Sequence, residues 1–188
     1  MVPAPLLEEV ARLSATSHGR CARGDDMRAL KTKVVSGEWS FVKRDPRQPR
    51  DAPDKPGFLS LTAPSVLEME VGAVRTGSLT IGFLRSYDER MGELKAECKS
   101  GCACNATVLN GHHARKSSVL VLGMLRVTPS EACTLRLTHR ARRVGVLNSL
   151  LGGEKQTSSK FKLMAIIVPP WVIDASDRDM ARASGFTS

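Results

Sequence analysis

Aromatic residues are scarce: five Phe, two Trp and one Tyr in 188 residues. That is too few for the row of stacking platforms on which single-stranded nucleic-acid binders rest their bases. Long apolar runs are absent as well. The longest candidate, Leu163 to Ile173, is interrupted by Pro169-Pro170 and falls short of the ~20 residues a membrane helix needs, so no membrane span is expected. No G-x-S-x-G elbow presents a serine on a strained strand-to-helix turn. Gly24-Asp25-Asp26 carries a carboxylate where a Gly-Asp-Ser block needs its alcohol, and no His follows the carboxylates of Asp174 to Asp179. Serine-based hydrolysis therefore has no visible machinery, and no catalytic residue is assigned. Phosphate-binding loops, dinucleotide fingerprints and calcium loops are missing too, so no cofactor is expected.

What is present reads as one domain with tails. Hydrophobic residues are 41% and charged residues 25%, close to an ordinary globular protein. Lys plus Arg is 28 against 19 Asp plus Glu, a net charge of +9, and a basic surface attracts anionic partners. The basic residues are scattered, however. Their one tight cluster is His139, Arg140, Arg142 and Arg143, and charge alone is only the first mark of a nucleic-acid site. Nucleic acid is the disfavoured partner.

The pattern divides the chain at about residue 57. Residues 1–57 form an N-terminal extension: Leu6 to Leu13 suits a short amphipathic helix, Asp25-Asp26 caps a second one through Leu30, and Arg44 to Pro56 is a Pro- and charge-rich linker. Residues 58–172 then alternate with a period of two. Leu67, Met69 and Val71 oppose Glu68 and Glu70. Leu79, Ile81 and Phe83 oppose Thr80 and Gly82. Cys133, Leu135 and Leu137 form a third stripe, and Phe161, Leu163, Ala165 and Ile167 a fourth, with Lys160 and Lys162 pointing away. Such alternation marks half-buried antiparallel strands. Val119 to Val127 is continuously apolar, which predicts a central strand covered on both faces. Turn signals at Gly72, Gly77-Ser78, Asn110-Gly111, Pro129-Ser130 and Gly152-Gly153 space about eight strands. The expected class is mainly β, an antiparallel β-sandwich or jelly roll. Residues 173–188 read as a polar C-terminal tail.

Five cysteines occur, three of them as Cys98-x3-Cys102-x-Cys104, with Cys133 and Cys21 apart. Cys102, Cys104 and His112-His113 folded across a hairpin would offer zinc ligands, but structural zinc sites favour C-x2-C knuckles, and no metal residue is assigned. Disulfides are the preferred reading. Cys102 and Cys104 are poorly placed to bond each other across one residue. The scheme expected is one of them with Cys98 and the other with Cys133, with Cys21 left over or paired outside the scheme. Asn105-Ala106-Thr107 is a glycosylation sequon. Trp39, Trp171 and Tyr87 are expected mainly in core or interface. For a binding surface, the polar, loop-borne candidates are Arg85, Tyr87, Asp88 and Arg90 in one turn and His112 and His113 in a hairpin.

In order, the segments Lys55-Pro56-Gly57-Phe58, Ile81 to Tyr87, Met91-Gly92, Cys98-x3-Cys102-x-Cys104, Asn110 to His113 and Lys160 to Leu163 form a series. Together they resemble the C-terminal region of plant and green-algal SGNH-hydrolase-type (GDSL-like) proteins. The likeness spans roughly residues 20 to 170 and is most specific from Ser86-Tyr87 through the cysteines. This chain has three residues, Asp88-Glu89-Arg90, before Met91 where the family has two. The resemblance implies an accessory β-domain that follows a hydrolase portion, and a secretory route with disulfides and glycosylation. The family's Gly-Asp-Ser and Asp-x-x-His blocks do not occur here, so no catalytic role is carried over.

The expected function is therefore a non-catalytic β-sandwich accessory module, with carbohydrate or an upstream hydrolase domain as partner. Two alternatives stay open: a fragment of an esterase or acyltransferase whose catalytic domain lies outside this chain, and a basic intracellular nucleic-acid-binding protein. Met1 to Leu13 lacks the apolar core of a signal peptide. The expected location is secretory or extracellular for a fragment of a longer precursor, and cytoplasmic otherwise.

Overall fold

A computed structural model of the chain describes residues 19–45, 54–142 and 158–169. Among the described residues eleven strands follow one another: β1 (Arg20–Arg23), β2 (Thr32–Ser36), β3 (Ser40–Val42), β4 (Gly57–Thr62), β5 (Ser65–Val74), β6 (Ser78–Ser86), β7 (Glu93–Ser100), β8 (Thr107–Asn110), β9 (Ser118–Arg126), β10 (Ser130–Arg140) and β11 (Ser158–Val168). A 3₁₀ turn over Gly24–Ala29 is the single helical element among the described residues. One sheet runs β3-β4-β11-β6-β9, with β1 pairing the C-terminal half of β11; the other runs β2-β5-β10-β7-β8. Every named strand pairing is antiparallel. The molecule is a two-sheet β-sandwich.

The alternating stripes explain it. Leu67, Met69 and Val71 of β5 and Leu135 and Leu137 of β10 face Leu79, Ile81 and Phe83 of β6 and Phe161 and Leu163 of β11, and all are buried. Each such side chain contributes about 1.5–3 kcal/mol by leaving water. One polar group sits among them. His139 of β10 is fully buried, with Nδ1 2.8 Å from Ser60 Oγ and Nε2 2.9 Å from Ser159 Oγ. Ser60 Oγ donates to the Thr62 carbonyl at 3.0 Å, so the Ser60 oxygen accepts from His139 Nδ1–H and Ser159 donates to Nε2. Both ring nitrogens are satisfied, and the ring links the two sheets. Gly92 makes room for it: a Cβ there would lie 2.7 Å from His139 Nε2.

Four expectations change. β9 is an edge strand, paired with β6 alone among the described residues, and Leu120, Leu122 and Met124 stand more than half exposed. Apolarity predicted burial on both faces, but the sheet ends there and nothing described covers the outer face. Second, β1, β2 and β3 join the sheets from within the 1–57 extension. They escaped patterning because β2 is exposed throughout and β3 spans three residues. Third, a register shift in β11 after Leu163 brings Ile166 into the core in place of Ile167, whereas the eight or so strands expected over residues 58–172 are there as β4–β11. Fourth, Lys160 and Lys162 do point away from the core, yet both are buried. Leu6 to Leu13, most of the Pro-rich linker, Arg143, Trp171 and the tail from 173 lie outside the described residues.

Candidate functional site

The two polar segments singled out in the sequence meet at one end of the sandwich. β6 ends at Ser86, whose N–H donates to the Gly111 carbonyl at 2.8 Å, while His113 N–H donates to the Ser86 carbonyl at 3.1 Å. Arg85 Nε donates to the His112 carbonyl at 3.2 Å. These bonds dock the Asn110 to His113 hairpin against the start of the Tyr87 to Arg90 turn. Asp88 organises that turn. Its carboxylate accepts from the Arg90 N–H and Nε at 3.0 Å and from Nη2 at 2.9 Å, a two-pronged pairing.

Behind the turn lies the central strand β11. Lys160 Nζ sits 2.7 Å from Asp88 Oδ2 and 3.4 Å from Asp45 Oδ2. The Arg90 hydrogen bonds and the Lys160 ammonium hold the Asp88 carboxyl well below the usual carboxylate range, so it stays ionised. Asp45, Lys160 and Asp88 line an open groove of about 580 Å³ together with Ser86, Glu89 and Ser118. Tyr87 stands at its wall, 51% exposed, the one large aromatic side chain presented to solvent among the described residues.

A second set braces the rim. Arg142 Nη1 lies 2.6 Å from His112 Nδ1, and Nη2 donates to Glu89 Oε2 at 2.7 Å. Arginine only donates, so His112 Nδ1 accepts and the proton sits on Nε2, which lies 3.4 Å from Glu89 Oε1 without a hydrogen bond to it. His113 turns inward on its own loop, where Nδ1 accepts from the Arg115 N–H at 3.2 Å.

Tyr87, Asp88 and Arg90 thus share the groove; Arg85 and His112 support it from behind, and His113 does not reach it. Of the basic cluster, His139 is in the core and Arg142 is committed to Glu89 and His112, while Arg140 is exposed. Lys160, Asp45 and Ser118 were not anticipated. Alternation correctly put Lys160 on the outer face but gave no sign that loops would cover it.

The opposite end is covalent. Disulfides join Cys98 to Cys104 and Cys102 to Cys133, while Cys21 is free and exposed. This is one of the two pairings open within the expected scheme. Cys102 and Cys104 spend their thiols there. His112 follows β8, whose end pairs with the other end of β7 from Cys98, so no joint zinc site forms. Asn105 is exposed in the loop beside Cys104 and Arg126. Trp39 is buried, as expected, and Tyr87 is not.

Fold and groove define an antiparallel β-sandwich module. No protein-family model and no curated protein matches the chain. In fold it is similar to part of a two-domain esterase active on acetylated mannans, with TM-score 0.52 and 12% identity over 81% of this chain and 36% of that one. The chain thus spans about a third of that esterase. Also similar are the carbohydrate-binding module CBM6cm-2 of Cellvibrio mixtus lichenase 5A solved with cellotriose (TM-score 0.44, 9% identity, 80% and 95% covered) and the K1 cleaved adhesin domain of Lys-gingipain from Porphyromonas gingivalis (0.48, 8%, 80% and 96%).

Proposed function

We propose that the chain is a non-catalytic carbohydrate-binding module and that the groove at Ser86 to Arg90 holds the sugar. The carrying observation is Tyr87: a half-exposed aromatic ring at the wall of a groove whose other walls are Asp88, Arg90, Lys160 and Ser118. A sugar ring has an apolar C–H face and a hydroxyl rim. An aromatic face receives the first, and ionised groups held by their neighbours exchange hydrogen bonds with the second. Asp88 and Arg90 are preorganised by their mutual pairing, so little ordering cost falls on binding. As an accessory module the chain would act beside a hydrolase domain, an arrangement supported by its fold likeness to about a third of a two-domain esterase. The link to SGNH-type proteins specifically rests on the sequence resemblance. Exposed Asn105 and the two disulfides are consistent with a secretory route for the module.

Isothermal titration with cellotriose and with acetylated manno-oligosaccharides tests the reading. Tyr87→Ala should weaken the better ligand at least ~10-fold, as expected for loss of a stacking contact of about 1.5 kcal/mol, with an unchanged melting temperature. Equal affinity of wild type and Tyr87→Ala, or no binding of either sugar at millimolar concentration, would remove the groove from consideration.

A further inference from the structure

Beneath the groove lies a separate small cavity. It is lined by Lys55, Lys160, Lys162 and Asp45, with apolar walls from Leu59, Leu84 and Met91. Its volume is about 10 Å³, room for about one water-sized sphere. Lys162 is 3% exposed and makes no hydrogen bond or ion pair within reach of the described residues. The nearby carboxylates are otherwise engaged: Asp45 with Lys160 at 3.4 Å, and Asp54 with Arg44 at 2.9 Å. Asp45 and Asp54 attract the Lys162 ammonium while Lys55 and Lys160 repel it, and three lysines against one carboxylate leave the cavity lining net positive. Burial lowers the Lys162 ammonium to about 8, which leaves it largely protonated at neutral pH. A buried cation whose surroundings stay net positive is costly, and a neutral water supplies no counter-charge.

We propose that this cavity is an anion site in which Lys162 and Lys55 hold a monovalent anion presenting one small atom, a halide ion or a carboxylate oxygen. Apolar walls strengthen the pairing by lowering the local dielectric. The size of the cavity restricts the class: a single atom fits, a tetrahedral sulfonate does not. Such an atom can come from a free ion or from the carboxylate of a ligand seated in the groove, since Asp45 and Lys160 line both spaces. The site stands whether or not the groove binds neutral sugar.

Thermal unfolding at constant ionic strength, with sodium chloride or formate replacing sodium methanesulfonate, tests it on the intact chain. The expected result is a saturable rise in melting temperature, roughly 5 °C at a hundredfold excess over Kd. Lys162→Met, close in volume and uncharged, should start from a higher melting temperature and lose the response. Glucuronate against glucose separates the sources: stabilisation by chloride and formate marks a free ion, and stabilisation by glucuronate alone marks a carboxylate delivered from the groove. As a second readout, NMR of reductively ¹³C-methylated lysines should show the Lys162 titration moving upward in the effective anion. Identical responses of wild type and Lys162→Met, or a Lys162 titration unmoved by chloride, formate and glucuronate, would overturn the site. Loss of sugar binding in Tyr87→Ala with the anion response intact would confine any failure to the groove.

Discussion

The two ends of the sandwich are closed by different chemistry. At one end Cys102–Cys133 ties the loop after β7 to the start of β10, and Cys98–Cys104 ties that loop to β7. Ala103 and Thr128 add a hydrogen-bonded pair, at 2.8 and 2.9 Å. At the other end Asp45, Asp88, Lys160 and Arg90 form a charged network. The covalent end tolerates exposed loops, because a crosslink restricts the unfolded chain whatever surrounds it. The ionic end must keep its charges fixed and mutually satisfied, and that same fixity equips it to recognise a ligand.

Reduction should break the comparison most strongly. Cys102 and Cys133 are 31 residues apart in sequence, Cys98 and Cys104 only 6. Loop-closure entropy gives about 4 kcal/mol for the first crosslink and about 2 for the second. Cys102→Ser with Cys133→Ser should therefore cost roughly twice as much as Cys98→Ser with Cys104→Ser in urea unfolding. Equal costs would mean that the crosslinks act through native packing instead. Hydrogen exchange on the reduced protein should quicken around residues 98–104 and stay slow at 86–92.

Next in size is Lys160→Met. It leaves Asp45 and Asp88 facing each other without their shared cation, and should destabilise by about 3 kcal/mol. A loss below about 1 kcal/mol would show that the other neighbours of the two carboxylates, Arg90 among them, neutralise the pair.

Acid should probe the same end more gently. Burial holds His139 down to about 4 against an ordinary 6.5. The folded state therefore favours the neutral ring, and its contribution is complete above pH 6.5 and lost as pH falls towards 4. Between pH 7 and pH 5 about 2 kcal/mol should disappear. His139→Gln should flatten that slope; an unchanged slope would assign it to carboxylates.

Much of the fold was legible from single stripes. β5, β6 and β10 alternate because each buries chiefly one face, whereas β11 is covered on both faces and shifts register after Leu163. The same logic misread Val119 to Val127, since apolarity reports the tendency to be buried and not a strand's place in the sheet. The site was half legible. Tyr87, Asp88 and Arg90 are neighbours in sequence, so local polarity exposed them. Asp45 and Lys160 are 115 residues apart, and only the packing of the loop before β4 against the start of β11 made them partners.

The sequence by itself determined the mainly β class, the core stripes and a disulfide scheme centred on Cys98, Cys102, Cys104 and Cys133, because side-chain alternation and cysteine spacing are local properties. Tertiary structure alone decided which strands stand at the edges, that Lys160 and Lys162 are buried, and that a groove forms beside Tyr87. Those depend on what covers each outer face, and cover comes from residues far away in the chain.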